Sequence, residues 1–342
     1  MDMNYKYPKI GVVVIGINVE RHLQACLESI FASDYPTDSM EVVYVDSGSS
    51  DSTVAIARSF GRVRVIKLND QHPTPGKGRN AGWESLHTPF IQFLDADTVI
   101  HPKWLKTGVT RLRNNVRAVC GQRQERYPAT NWFHRIVNME WGYEIGPCRY
   151  FGGDVLMARS VLEETDGFDE ALVAGEDPEL SYRIRQKGYV IQRLRYPMTE
   201  HDINMKSFRQ YLKRAVRSGY AYAEIALRFL GKKEEMWKKE LIRVLVRGFL
   251  PVCLLLIFAS LGWPGLGLIL GGMLLMLPLV RIKSFRKRTQ CSWIESMVYS
   301  LHCSFVVIPQ CIGVLRYGIQ VLGFPPMRNK GLHQPNVIKV SL

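Results

Sequence analysis

The sequence lacks several patterns that would assign it at once. Its seven cysteines include no C-x-x-C pair, which excludes the usual zinc and dithiol motifs, and an odd count closes no disulfide framework. Such cysteine usage suits a reducing, cytosolic face. No G-x-G-x-x-G follows the first apolar segment and no G-x-x-x-x-G-K-[ST] occurs anywhere. Neither the dinucleotide fingerprint nor the P-loop is therefore present. Charge is absent from Gly248 to Val280, and acid is scarce after it: from Arg281 onward nine Lys/Arg stand against the single Glu295. What the chain has in excess is positive charge, +14 over 342 residues with 46% hydrophobic content. That length allows about two domains. The charge suits nucleic acid, an anionic membrane surface or an anionic substrate. Its basic residues sit beside apolar segments and not on a recognition helix, so nucleic acid is not expected as a partner.

The first half alternates. Residues 10–17 read as a buried strand; Lys6 and Lys9 before it imitate a signal peptide, but no small-residue cleavage site follows. Residues 21–31 show helical spacing, with apolar positions at 23, 27, 30 and 31. A strand over 41–45 ends at Asp46, a polar loop leads to a helix through Ser59, and 63–68 is a third strand. A helix from Lys77 to Leu86 follows the breaker Pro75-Gly76, and a fourth strand ends in Asp95-Ala96-Asp97. Strands and helices in this rhythm predict a parallel sheet with right-handed crossovers.

Asp95 and Asp97 are the centre of the pattern. Residues two apart on a strand point the same way. At the exit of a parallel strand they face the crevice where open α/β sheets bind ligands. Two carboxylates aimed together repel unless a cation stands between them, and Mg²⁺ is typically held by one or two carboxylates plus substrate phosphates. The alternative is a turn whose aspartates cap the next helix. Acidic and amide residues recur at the other strand ends, Asn18 and Glu20, then Asp46, and suit hydrogen bonds to base and ribose.

Four segments in order, Ile15-Gly16-Ile17-Asn18-Val19-Glu20, Val45-Asp46-Ser47-Gly48-Ser49-Ser50-Asp51-Ser52-Thr53, Gly76-Lys77-Gly78-Arg79-Asn80-Ala81-Gly82 and Asp95-Ala96-Asp97, resemble a family 2 glycosyltransferase of the GT-A fold. The likeness covers roughly residues 8–205. It implies that Asp46 contacts the nucleotide base, that Lys77, Arg79 and Asn80 lie near the nucleotide, and that Asp95 and Asp97 hold Mg²⁺ or Mn²⁺ on the diphosphate of a sugar nucleotide. The first segment, with Gly16, Asn18 and Glu20, departs from the family's P-x-Y-N-E: Ile15 replaces Pro, Ile17 replaces Tyr, and Val19 separates Asn18 from Glu20. Gly167-Phe168-Asp169-Glu170 and then Gly175-Glu176-Asp177-Pro178-Glu179-Leu180 match the next signature. By resemblance Asp177, beside Glu176, is the general base that takes the acceptor's proton. From the residues alone, Asp177 at an N-cap with Pro178 at the first helical position is a helix start. His201, after a strand over 190–194, ligates the metal in some glycosyltransferases; a lone histidine can equally be structural.

From 207 to 247 basic and aromatic residues interleave at helical spacing, as in helices lying on an anionic leaflet. Gln210-Tyr211-Leu212-Lys213-Arg214 lacks the tryptophan of the Q-x-x-R-W motif of processive synthases. The uncharged run 248–280, interrupted at Gly262-Trp263-Pro264-Gly265, suits a hairpin of two short spans with basic flanks on the cytoplasmic side. A third apolar segment, about 297–315, reads equally as a third span or a re-entrant interfacial helix.

The expectation is therefore an α/β protein: a GT-A, doubly wound, mostly parallel Rossmann-like sheet in residues 1–205. Interfacial amphipathic helices (206–247), transmembrane helices (248–322) and a basic tail (323–342) follow. Its function is expected to be inverting transfer of one sugar from a nucleotide sugar, a UDP-sugar first, to a lipid-linked saccharide, with polyprenyl phosphate as the alternative acceptor. The setting is polysaccharide assembly at the plasma membrane, the catalytic domain cytoplasmic, with Mg²⁺ or Mn²⁺ as cofactor and membrane lipid as partner.

Overall fold

A computed structural model describes residues 7–141, 144–289 and 291–323; the predicted basic tail, with Arg328 and Lys330, lies outside them past Gly323. Among described residues, 7–127 and 141–203 form one compact unit, and 128–140 with 204–323 form another.

The first unit opens with β1 (Ile10–Gly16), α1 (Leu23–Phe31), β2 (Met40–Asp46), α2 (Thr53–Ser59), β3 (Val63–Lys67), α3 (Pro75–Glu84) and β4 (Phe90–Asp95). The strands lie side by side in the order β3-β2-β1-β4, all parallel. Ile10, Val12, Val13 and Val14 are fully buried, because a parallel strand is covered on both faces and so reads as a continuous apolar run. Past β4 the sheet becomes mixed. It is completed by β5 (Thr98–Ile100), β6 (Val116–Glu125), β7 (Gly146–Pro147), β8 (Val155–Ala158) and β9 (Val190–His201). β8 enters antiparallel between β4 and β6, while β9 runs parallel to β6 and antiparallel to β5. Helices α4 (Trp104–Val109), α5 (Trp132–Glu140), α6 (Arg159–Glu164) and α7 (Glu176–Gln186) fall between these strands, α5 belonging to the second unit.

Three local readings are corrected. The helix expected after Pro75-Gly76 begins on Pro75: Thr74 Oγ1 accepts from the Lys77 N–H at 3.2 Å, and a proline at the first helical position has no N–H to leave unpaired. Asp177 is not the cap of α7. The helix starts at Glu176 behind Gly175, whose φ of 94° suits glycine, so the Asp177 carboxylate is not spent on the helix end. Finally, the strand expected to stop at Leu194 continues to His201, because its last residues pair with β6 on one side and β5 on the other.

The second unit is helical. α8 (Phe208–Arg228) starts in a capping box of Ser207 and Gln210. Next come α9 (Lys238–Val244), a π turn over Leu245–Phe249, α10 (Leu250–Ser260), α11 (Pro264–Met276), α12 (Ile282–Thr289), α13 (Trp293–Phe305) and α14 (Val307–Val321). The π turn precedes Pro251, which cannot donate to the preceding turn. Among the described residues, three continuous helices are long and apolar enough to cross a membrane: Lys238–Ser260, Pro264–Lys287 and Trp293–Val321. The first starts at Lys238, ahead of the uncharged run at Gly248.

α8 and α14 touch backbone to backbone. A Cβ on Gly219 would stand 2.0 Å from the Gln310 carbonyl, and one on Gly313 would stand 2.0 Å from the Val216 carbonyl. Gly318, on the same helix, faces open space. Gly313→Ala should therefore lower the thermal midpoint of the solubilised full chain, overpacking costing about 1–3 kcal/mol. Gly318→Ala should leave it unchanged or raise it slightly, since alanine is the better helix former by about 1 kcal/mol.

Candidate active site

The sheet order places β1 between β2 and β4, with Gly16 in register with Asp46 and Ile15 in register with Asp95. The Gly16 carbonyl accepts from the Ser47 N–H at 3.0 Å, and the Ile15 carbonyl from the Ala96 N–H at 2.9 Å. Two polar loops thus leave the sheet together at its carboxyl edge, where the strand order reverses and open α/β sheets bind ligands.

The loop after β2 is strapped by residues predicted to bind a nucleotide. Buried Asp46 accepts from the N–H groups of Gly48 at 3.1 Å and Ser49 at 2.9 Å. Asn18, at φ 52°, accepts from the Ser50 N–H at 2.9 Å, and Glu20 accepts from the Ser52 N–H at 3.1 Å. These contacts shape the loop from within. On α3 the predicted trio divides. Lys77 pairs with Asp70. Asn80 donates to the Phe168 carbonyl at 2.9 Å and to Glu170 at 3.0 Å, and accepts from the Phe168 N–H at 2.9 Å, fastening the Gly167–Glu170 turn.

Arg79 joins the acidic clusters. Its Nη2 lies 3.0 Å from Asp95, while its Nη1 lies 2.7 Å from Glu176 and 3.6 Å from Asp177. The Arg79 side chain is only 3% exposed. Two residues absent from the sequence reading complete the arrangement. Arg123, on β6, lies 3.5 Å from Asp95 and 3.6 Å from Asp154. Asp154, buried before β8, accepts from the Asp95 N–H at 3.2 Å and the Thr199 hydroxyl at 2.7 Å. Gly153 lets that segment approach: a Cβ there would stand 2.6 Å from Asp95 Oδ2. The Gly152-Gly153-Asp154 stretch was a sequence signal for Asp154; Arg123 had none.

Beyond Asp95, Asp97 Oδ1 lies 3.1 Å from His201 Nε2, and Trp141 packs edge-on against His201 and under the Arg123 guanidinium. Asp95, Asp97 and His201 can each turn a donor atom toward a common point, all within 4.8 Å of one another. Asp97 Oδ1, His201 Nδ1 and Asp177 Oδ1 are buried without a hydrogen-bond partner. Five carboxylates (Asp95, Asp97, Asp154, Glu176, Asp177) face two guanidiniums here. That excess of acid and orphaned oxygen fits a divalent cation, and two carboxylates with one imidazole suit Mn²⁺ or Mg²⁺.

The same excess appears in protonation. Burial alone would raise the Asp95 carboxyl, but Arg79 and Arg123 outweigh it and hold it below the usual range. Burial pushes Asp154 up, against Arg123. Burial pushes Asp177 up to about 7; Arg79 opposes, while Glu176 and Asp95 add to the rise.

Removing Arg79 takes the paired guanidinium from Glu176 and Asp177 and leaves Asp95 with Arg123 alone. Arg79→Met should cost about 3–5 kcal/mol of stability, as loss of one partner from a buried charge cluster does. A denaturation midpoint equal to the parent's would contradict this role.

Comparisons with known proteins bear on the fold and the family. The sequence model described as Glycosyl transferase family 2 matches residues 11–168. Glycosyltransferase AglE of Haloferax volcanii is 27% identical over 236 residues, which cover 65% of this chain and 76% of that protein. The probable glycosyltransferase YdaM of Bacillus subtilis is 25% identical over 254 residues, covering 69% of this chain and 60% of that protein. Among solved structures, the mannosyltransferase PcManGT of Pyrobaculum calidifontis, in complex with GDP-Man and Mn²⁺, superposes with a TM-score of 0.62 at 16% identity, covering 91% of this chain and 88% of that one. At that identity the superposition speaks for the fold. Sequence and fold together make this chain a glycosyltransferase, with a family 2 domain matched over residues 11–168 inside a catalytic unit of GT-A fold.

Proposed function

We propose that the chain transfers one sugar, with inversion, from a nucleotide sugar to a lipid-linked saccharide at a membrane, as a step in assembling a cell-surface polysaccharide. A UDP-sugar is the first donor to test. The observation carrying this reading is the Asp95–Asp97–His201 donor cluster, which shares Arg79 with the Asp177 carboxylate. The Pyrobaculum neighbour, which holds GDP-Man and Mn²⁺, supports a metal-assisted donor site. The candidate spans in the second unit support an acceptor held in lipid.

In this mechanism Asp95, Asp97 and His201 would hold Mg²⁺ or Mn²⁺, which would supply positive charge to a leaving diphosphate. Asp46, Asn18 and Glu20 keep the loop after β2 in one shape at the nucleotide end of the crevice. Asp177 accepts the proton of the acceptor hydroxyl at Oδ1, which takes no hydrogen bond from the protein. The freed oxygen attacks the anomeric carbon opposite the leaving group, and the bond to the nucleoside diphosphate breaks as the new bond forms. Glu176, paired with Arg79, keeps that guanidinium beside Asp177, which can shed its proton near neutral pH.

Asp177→Asn should retain donor binding and lose transfer by about 10²–10⁴-fold, the usual worth of a positioned base. A base must be deprotonated. With the Asp177 carboxyl raised to about 7, kcat/KM should fall as pH drops through about 7, or lower once a cation shares the site. A mutant turning over near the parental rate would instead mean a phosphate acceptor, which needs little base help. For the metal, calorimetry of UDP with and without Mn²⁺ decides: Asp97→Ala should abolish the enhancement by the ion, and equal enhancement in mutant and parent would remove Asp97 from the site.

A further inference from the structure

We propose that the third apolar helix, α13–α14, does not cross the membrane but lies along its surface, one face sunk in a lipid monolayer with anionic headgroups. The proposal rests on the membrane-attached reading above. By length and composition Trp293–Val321 is a candidate span; its neighbours argue otherwise.

The inner face of this helix carries polar groups along its length, with buried Val307 and Cys311 between them. Buried Ser296, Ser300 and Ser304 follow one another at helical spacing. Glu295 lies 3.7 Å from Arg135 of α5. His302 lies 3.3 Å from Glu140 of α5, and its other ring nitrogen is 2.8 Å from the Tyr211 hydroxyl of α8. Glu140 in turn lies 3.7 Å from Arg214. Further along, the Gln320 side chain accepts from the Tyr220 hydroxyl at 3.1 Å, and the Gly219–Gly313 contact locks α14 to α8. Residues from 295 to 320 are thus packed against α5 and α8, helices that carry Arg135, Glu140, Arg209, Lys213, Arg214 and Arg217. If α13–α14 crossed the bilayer, these charges would enter the hydrocarbon with it, which is costly even for a single charged group.

The outer face is the opposite. Met297, Leu301, Phe305, Ile308, Ile312 and Leu315 are each at least 36% exposed, and their steps of three and four residues make one straight stripe. A helix with one apolar stripe and one polar face lies in the interface plane, buried about 5–10 Å into the headgroup–acyl boundary. Two observations commit the occupant to lipid. α10 and α11 of the same unit expose Leu256 at 65% and Leu268 at 62%, residues of a hairpin that itself needs a bilayer. Arg281, Lys283 and Arg286, just ahead of the stripe, are exposed and complement anionic headgroups.

The test is depth measurement on the full chain in phosphatidylethanolamine–phosphatidylglycerol vesicles. Single cysteines at 297, 305, 312 and 319, in a background free of the native seven, would carry an environment-sensitive fluorophore quenched by lipids labelled at different depths; Leu256→Cys reports on the hairpin. An in-plane helix places all four positions at one shallow depth, with Leu256→Cys deeper. A spanning helix rises about 1.5 Å per residue, so positions 297 and 312 would then differ by up to about 20 Å. Such a gradient, or no quenching at the four sites, overturns the proposal. Four equal shallow depths with a shallow Leu256→Cys leave the in-plane helix standing and remove the spanning hairpin on which membrane attachment rests.

Discussion

The catalytic unit depends on one electrostatic constraint: more carboxylates converge at the end of β4 than the protein neutralises. Arg79 is the main answer built into the chain. Placed on α3 and almost wholly buried, it holds Asp95 with one nitrogen and Glu176 with the other, and so ties the end of a strand to the start of α7. Arg123 supplies a second positive charge. What remains unbalanced is a carboxyl at Asp177 raised by burial and buried oxygens at Asp97 and Asp177 that take no hydrogen bond. A site with surplus negative charge suits a cation.

The other predicted binding residues contribute through shape. Asn18, Glu20 and Asp46 spend their acceptor oxygens on N–H groups of the loop after β2. A loop already held in its working form need not lose entropy when substrate binds. Asn80 acts likewise on the Phe168 turn, which lies over Arg79 in a cation–π contact.

The helical unit solves a different problem. An apolar helix free in lipid gains little from packing on another apolar helix, so close backbone approach and polar contacts decide association. Gly219 and Gly313 supply the close approach. His302 with Glu140 and Tyr211, and Tyr220 with Gln320, supply the polar contacts. These contacts fasten the third helix to charged helices, while it also meets the foot of the hairpin, where Arg247 donates to the Cys303 carbonyl at 2.7 Å.

Much was legible in the sequence because its cause is local. Apolar strand runs alternating with helical ones marked β1 to β4 and their parallel direction, the Asp95-Ala96-Asp97 pair marked the crevice, and the uncharged run from Gly248 to Val280 marked a segment unsuited to water. The rest needed tertiary structure, because its cause lies between residues far apart in the chain. Arg79 reads as a nucleotide contact until α7 brings Glu176 and Asp177 against it. Arg123 carries no local signal, being defined only by the carboxylates it meets. His201 stands beside Asp97 because β9 continues to pair with β5, which its own residues do not reveal. Apolar content alone made α13–α14 a candidate span; which of its faces is covered, and by what charges, was decided only when α5 and α8 folded onto it.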